Sequence, residues 1–204
     1  MAMRRNASTL QRGLAAFALA LGVSSTAWPC GFDDPNSATV QRGMMNLVFP
    51  KSAYVRTAIW QAQVAGELPR DKLAGRGDLT PQAIGTLRLI RATGLLKTLA
   101  KRLGATPDGA GHPSVALVLL GPMLWSRFEP AGGGVQAQVH VIGPETGDVV
   151  MVTDTPAIEA IVEGGLSFEQ AIEHGLVRLY GPLPQIERLT TWLAATRDRR
   201  VPDR

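Results

Sequence analysis

The side chains best suited to nucleophilic, metal-ligating or acid–base chemistry near neutral pH are few in this 204-residue chain: one cysteine, Cys30, and three histidines, His112, His140 and His174. Their spacing forms no known constellation. The sequence holds no serine in a nucleophile elbow, no phosphate-binding glycine loop, no zinc-type histidine pair and no haem-attachment motif. His112 precedes Pro113 in a loop, and His140 shares the polar side of a strand with Gln136 and Gln138. His174 falls in the last turn of a short helix, where a cation is favoured. A scattered trio can still meet in space, or meet Cys30, but nothing in the spacing calls for it. No catalytic residue, metal site or cofactor is therefore assigned, and a non-enzymatic role is expected.

Cys30 is the most informative of the four. It lies in a stiff, partly apolar segment running from Trp28 to Pro35. A lone thiol in an oxidising compartment is buried, metal-bound or paired with another chain. Burial is the plain reading, because free cysteine behaves as a small hydrophobe. A reactive or partner-binding Cys30 is the other. Met44, Met45, Met123 and Met151 form a second group of interest, since flexible thioethers suit either an adaptable pocket or the filling of core gaps.

The compartment follows from the first residues. Arg4, Arg5 and Arg12 precede an uncharged apolar run, Gly13 to Val23, and Ser24 to Ala27 supplies the small residues of a cleavage site after Ala27. That order of parts is a secretory signal peptide. The run is too short for a transmembrane anchor, which needs about 20 apolar residues. Trp28 and Pro29 before Cys30 argue against lipid attachment there. The expectation is a periplasmic or secreted protein with residues 1–27 removed and no stable membrane anchor.

Without the leader, 18 basic residues face 17 acidic ones. A near-neutral chain with interspersed charges has no footprint for nucleic acid and no polybasic membrane patch. Residues 28–204 are enough for one domain with a core that needs no disulfide.

The elements that must position these residues divide into a helical part, 28–104, and a mixed part. Asn36 or Ser37 caps a first helix in which Val40, Met44, Leu47 and Val48 form one stripe. Phe49-Pro50 ends it. A second helix, about Lys51 to Ala65, carries Tyr54, Ala58, Ala62 and Ala65 on one side. Thr80-Pro81 opens a third that closes at Gly104. Its stripe is Leu89, Ala92, Leu96, Leu99 and Leu103, while Leu87 and Ile90 off the stripe suggest packing on a further side. Arg88 falls among apolar positions, as a snorkelling side chain or as an anchor for an anionic head group.

From Val115 the period changes. Strands are read at Val115–Leu120, Met123–Glu129, Val135–Ile142 and Asp148–Thr153, as an antiparallel meander. The third is the clearest, with Val135, Ala137, Val139 and Val141 facing one way. Asp154 or Thr155 caps a helix ending at Gly164-Gly165, and Ser167 with Gln170 makes a capping box for another that stops at Gly175. A fifth strand, Leu176–Tyr180, and a helix marked by Ile186, Leu189 and Leu193 complete the order.

The segment Asp154 to Gly181 resembles the C-terminal half of sterol carrier protein 2-like domains: a helix, a Gly-Leu-Ser turn, a second helix ending in glycine, a short strand and glycine. With the preceding strands and Trp125, the likeness covers about Val115 to Leu193, the mixed part running to about residue 196. It implies an α+β fold, an antiparallel five-stranded sheet covered by helices and preceded by the N-terminal helical segment. It also implies an apolar cavity for a lipid or another hydrophobic small molecule. Leu96, Leu99, Val139, Met151, Phe168 and Ile172 are the residues expected to line it, with Arg88 at the head group. The residues alone leave two readings open, since a filled core and a hollow one look alike in sequence. The alternative function is a non-enzymatic accessory protein of a periplasmic system, whose Cys30 to Pro50 segment meets an exported partner or a metal.

Overall fold

The computed structural model describes residues 35–104, 112–132 and 134–195. The leader, Cys30 and the C-terminal tail lie outside the described residues. Helices α1 (Pro35–Val48), α2 (Ser52–Ala65) and α3 (Pro81–Gly104) come first. Strands β1 (Val115–Leu119), β2 (Leu124–Ala131), β3 (Gly134–Val139) and β4 (Val149–Thr153) follow, then α4 (Thr155–Glu163), α5 (Phe168–Glu173), β5 (Arg178–Tyr180) and α6 (Leu183–Ala195). Local chemistry sets these bounds. Thr80 Oγ1 accepts from Ala83 N at 3.2 Å at the start of α3. Asp154 caps α4, and Ser167 and Gln170 form the reciprocal capping box of α5.

The sheet has five strands in the order β3-β2-β1-β4-β5. Three of its pairings are antiparallel, but β4 lies parallel to β1, so the sheet is mixed and not the antiparallel meander expected. The reason is visible in the residues. Val115–Leu119 and Val149–Thr153 are buried at every position, whereas β2 alternates. Unbroken apolar strands belong in the middle of a sheet covered on both sides, and there they can pair in parallel.

A parallel neighbour demands a crossover. Val139 at the end of β3 pairs with Ser126, which pairs with Leu117 in the middle of β1, whereas Val149 at the start of β4 pairs with Val115, the first residue of β1. Residues 140–148 must therefore turn back and cross one face of the sheet, past β2 and β1. At about 3.3 Å per residue an extended stretch of this size spans about 30 Å, enough without a helix. Arg127 fixes it in place. Its guanidinium contacts Asp148 at 3.2 Å, Glu145 at 2.6 Å and Glu129 at 2.7 Å, and the Asp148 side chain is only 1% exposed.

Residues paired directly across strands point to the same side, which separates the two faces. Val115, Leu117, Phe128 and Met151 meet α3, α5 and α6 on one. On the other, Trp125 and Tyr180 meet Phe49, from the turn between α1 and α2. Tyr180 Oη donates to the Pro50 carbonyl at 2.8 Å. Burial raises the phenol of Tyr180 above its ordinary range, and the nearby Arg178 charge opposes that.

The third helix follows its expected stripe, with Ala92, Leu96, Leu99 and Leu103 buried. Leu87 and Ile90 are exposed, and the further side on which α3 packs is instead toward α4, where Arg91 pairs with Glu159 and Arg102 donates to the Ile161 carbonyl at 3.2 Å. The first two helices are turned from their expected orientations. On α1 it is Met45 that is buried, while Val40, Met44, Leu47 and Val48 face solvent. On α2 the buried line is Val55, Ile59 and Ala62, with Tyr54 outside. Phe49 explains the rotation: anchored between Trp125 and Tyr180, it selects Met45, one turn earlier, as its inward neighbour. β3 ends at Val139, so Val141 belongs to the crossover.

Candidate functional site

A groove of about 190 Å³ lies on the Trp125 face of the sheet. Its floor is Trp125 and one wall is α1, through Gln41, Met44, Met45 and Val48, with Phe49 beside them. The crossover, His140 to Pro144, is the opposite wall, and Met123 from the β1–β2 turn closes one end. No lysine, arginine, aspartate or glutamate lines it. Three of the four methionines singled out above meet here, whereas Met151 is on the other face of the sheet.

Backbone geometry holds this wall at a cost. Both His140 N and Val141 N donate to the Trp125 carbonyl, at 2.9 and 3.1 Å. To do so His140 adopts φ 73°, and Met123 at the closed end has φ 51°. A non-glycine residue in the left-handed region costs about 1–2 kcal/mol, and such positions persist where the surroundings over-determine them. The strain lies at the closed end of the groove and in its crossover wall.

Next to Met123, Gly121 lies against Asp154 so closely that a Cβ there would be 2.9 Å from Oδ1. Asp154 Oδ1 accepts from Thr155 N at 2.8 Å. Burial drives the Asp154 carboxyl pKa upward, and the Thr155 and Gly121 amides and the Arg56 and Arg42 charges pull it back. Arg42 also donates to the Gly121 carbonyl at 2.8 Å. This cluster ties α1 to the turn that ends the groove.

The residues expected to line a ligand cavity sit on the opposite face. Leu99, Met151 and Phe168 meet around a void of about 10 Å³, shared with Leu103, Phe128, Leu189 and Trp192. Space of that size accommodates about one water. Leu96 is fully buried, and Val139 and Ile172 pack against the same core from its edge. Between the sheet and α3, α5 and α6 the interior is thus filled. Arg88 is exposed and donates through Nε to Asp71 at 2.8 Å, tying α3 to the preceding loop.

The histidines remain apart. His112 is buried and stacks on Trp192, ring centroids 3.9 Å apart, on the filled side. His140 is on the groove wall, and His174 is the exposed C-cap of α5. No three His, Cys, Asp or Glu side chains group to hold a metal among the described residues, nor is any described helix long and apolar enough to cross a membrane. The groove itself was only half legible: its methionines stood out, but nothing local marked residues 140–144 as its second wall.

No family model and no curated protein matches the chain. Among solved structures it is similar to a conserved hypothetical protein of Thermus thermophilus described as a possible sterol carrier protein. That match has 16% identity and TM-score 0.36, over 52% of this chain and 85% of that one. It is similar to sterol carrier protein 2, with 19% identity and TM-score 0.33, over 54% and 93%. It is also similar to part of a stereoselective inverting sec-alkylsulfatase from a Pseudomonas species, with 22% identity and TM-score 0.35, over 59% of this chain and 18% of that enzyme. Two of these structures carry the sterol carrier description that the Asp154 to Gly181 resemblance named.

Proposed function

We propose that this protein is an exported, non-enzymatic binder of a hydrophobic, lipid-like molecule whose apolar part sits in the groove over Trp125. The observation that carries this reading is the groove's makeup: about 190 Å³ walled by Met44, Met45, Val48, Phe49, Met123 and Ile142, without a charged residue. An engineered apolar cavity of about 150 Å³ already binds benzene. Methionine walls adapt to chains of differing shape better than branched side chains do. Export is supported by the arginines, apolar run and small residues of positions 1–27.

Native mass spectrometry of the protein recovered from the exported fraction tests both parts. The expected spectrum has a chain beginning at Trp28 with a lipid-mass adduct that Met44→Glu abolishes. Met44 is exposed at the groove's lip, so this change places a charge at the site without opening the core. A chain found only in the cytoplasmic fraction, with an intact Met1 start, refutes export. An adduct unaffected by Met44→Glu refutes the groove.

A further inference from the structure

Between Asp34 and Glu67 the chain has no acidic residue. This stretch contains α1 and α2, and both turn one side to the same face of the sheet, through Met45 and Phe49 and through Val55, Ile59 and Ala62. Their opposite sides therefore look the same way, into solvent. Exposed there are Val40, Met44, Leu47 and Val48 on α1 and Tyr54, Trp60 and Val64 on α2. Leu47 is 82% exposed and Trp60 63%. The only charged side chains exposed between Thr39 and Gly66 are cationic, Lys51 and Arg56. The near balance of charge over the whole chain conceals this local segregation.

We propose that the outward side of the α1–α2 hairpin docks on an anionic lipid bilayer, its helices lying in the interfacial plane. Large apolar side chains exposed together on one helical hairpin mark an interaction site. An acid-free helical face with aromatic residues and a few cations has the composition of interfacial helices. Tryptophan and tyrosine favour the headgroup level, and lysine and arginine gain energy from anionic lipid. A second copy fits less well, because a two-fold contact through this face would bring like charges at Lys51 and Arg56 together. The face also reaches the groove: Met44, Val48 and Ile142 are exposed and line its opening. An acyl chain leaving the bilayer would meet the groove directly. Docking and groove binding are separate claims, and either can fail alone.

Flotation of the full chain with vesicles of phosphatidylglycerol and phosphatidylcholine, against phosphatidylcholine alone, tests the proposal. Binding is expected only with the anionic vesicles and falls as salt rises. Lys51→Gln and Arg56→Gln each weaken it about fivefold. Leu47→Glu weakens it at least about tenfold, as the loss of a buried leucine implies. Leu47 is almost free of the core, so circular dichroism of this variant should match wild type. Brominated acyl chains localise the contact: they quench wild-type fluorescence more than that of Trp60→Phe. Equal quenching of the two, equal binding to uncharged vesicles, or a solution dimer that Leu47→Glu dissociates would each overturn it.

Discussion

The size of the groove sets a ceiling on the chain it can hold. At about 30 Å³ for a methylene, the volume one water takes in the liquid, a groove of about 190 Å³ accommodates about six carbons. Each buried methylene contributes about 0.8 kcal/mol, so affinity should rise about fourfold per carbon and then level off. The total, about 5 kcal/mol, corresponds to a Kd of order 0.1–1 mM for the chain alone. Titration calorimetry with straight-chain carboxylates of about four to twelve carbons would show the break in slope, and a negative heat-capacity change over the rising part. Trp125→Leu, which lowers the floor, should move the break to longer chains. The reasoning is refuted by affinity that climbs steadily past about ten carbons, because such a chain must enter space other than this groove. Indifference to chain length refutes it as well.

Three further outcomes test the framework around the site. Gly104→Ala should destabilise by about 1–3 kcal/mol, because its Cβ would be 2.7 Å from Val135 N and 3.1 Å from Gly134 Cα, both backbone atoms; a thermal midpoint equal to wild type counts against that close approach. Arg127→Leu should cost about 3 kcal/mol in urea unfolding by leaving Asp148 buried without its cation, and should weaken groove binding in parallel by loosening the crossover. For Asp154 the sign follows from its raised pKa. The contribution of this carboxyl to stability is complete below the unfolded value near pH 3.9 and is lost as pH rises through the folded value. Asp154→Asn keeps a cap acceptor, so it should equal or exceed wild type at pH 7 and lose that advantage below about pH 4; a variant weaker at pH 7 would contradict the burial argument.

What could be read from the chain depended on how local the determinant was. The cap at Thr80, the box at Ser167 and Gln170, the α3 stripe and the number and order of elements are written within a few residues each, and all appear. The parallel pairing was not local. Val115–Leu119 and Val149–Thr153 hinted at burial on both faces, but choosing β1 over β3 as the partner of β4 depends on a crossover held by Arg127, Glu145 and Asp148. The orientation of α1 failed for a related reason. Periodicity identified the stripe Val40, Met44, Leu47 and Val48 correctly, but it could not say that Phe49 would direct the opposite choice. The candidate site inherits both difficulties, since α1 is one of its walls and the crossover is the other.

Residues 140–148 serve two masters. They are the link that lets the fourth strand join the sheet, and their first part, His140 to Pro144, is one bank of the channel above Trp125. Remodelling that bank to admit a different guest would put the chain's threading at risk, whereas α1 on the opposite bank offers Met44 and Val48, which are exposed and belong to no strand. Cargo preference should therefore be tunable from the helix, and libraries aimed at altering it belong there.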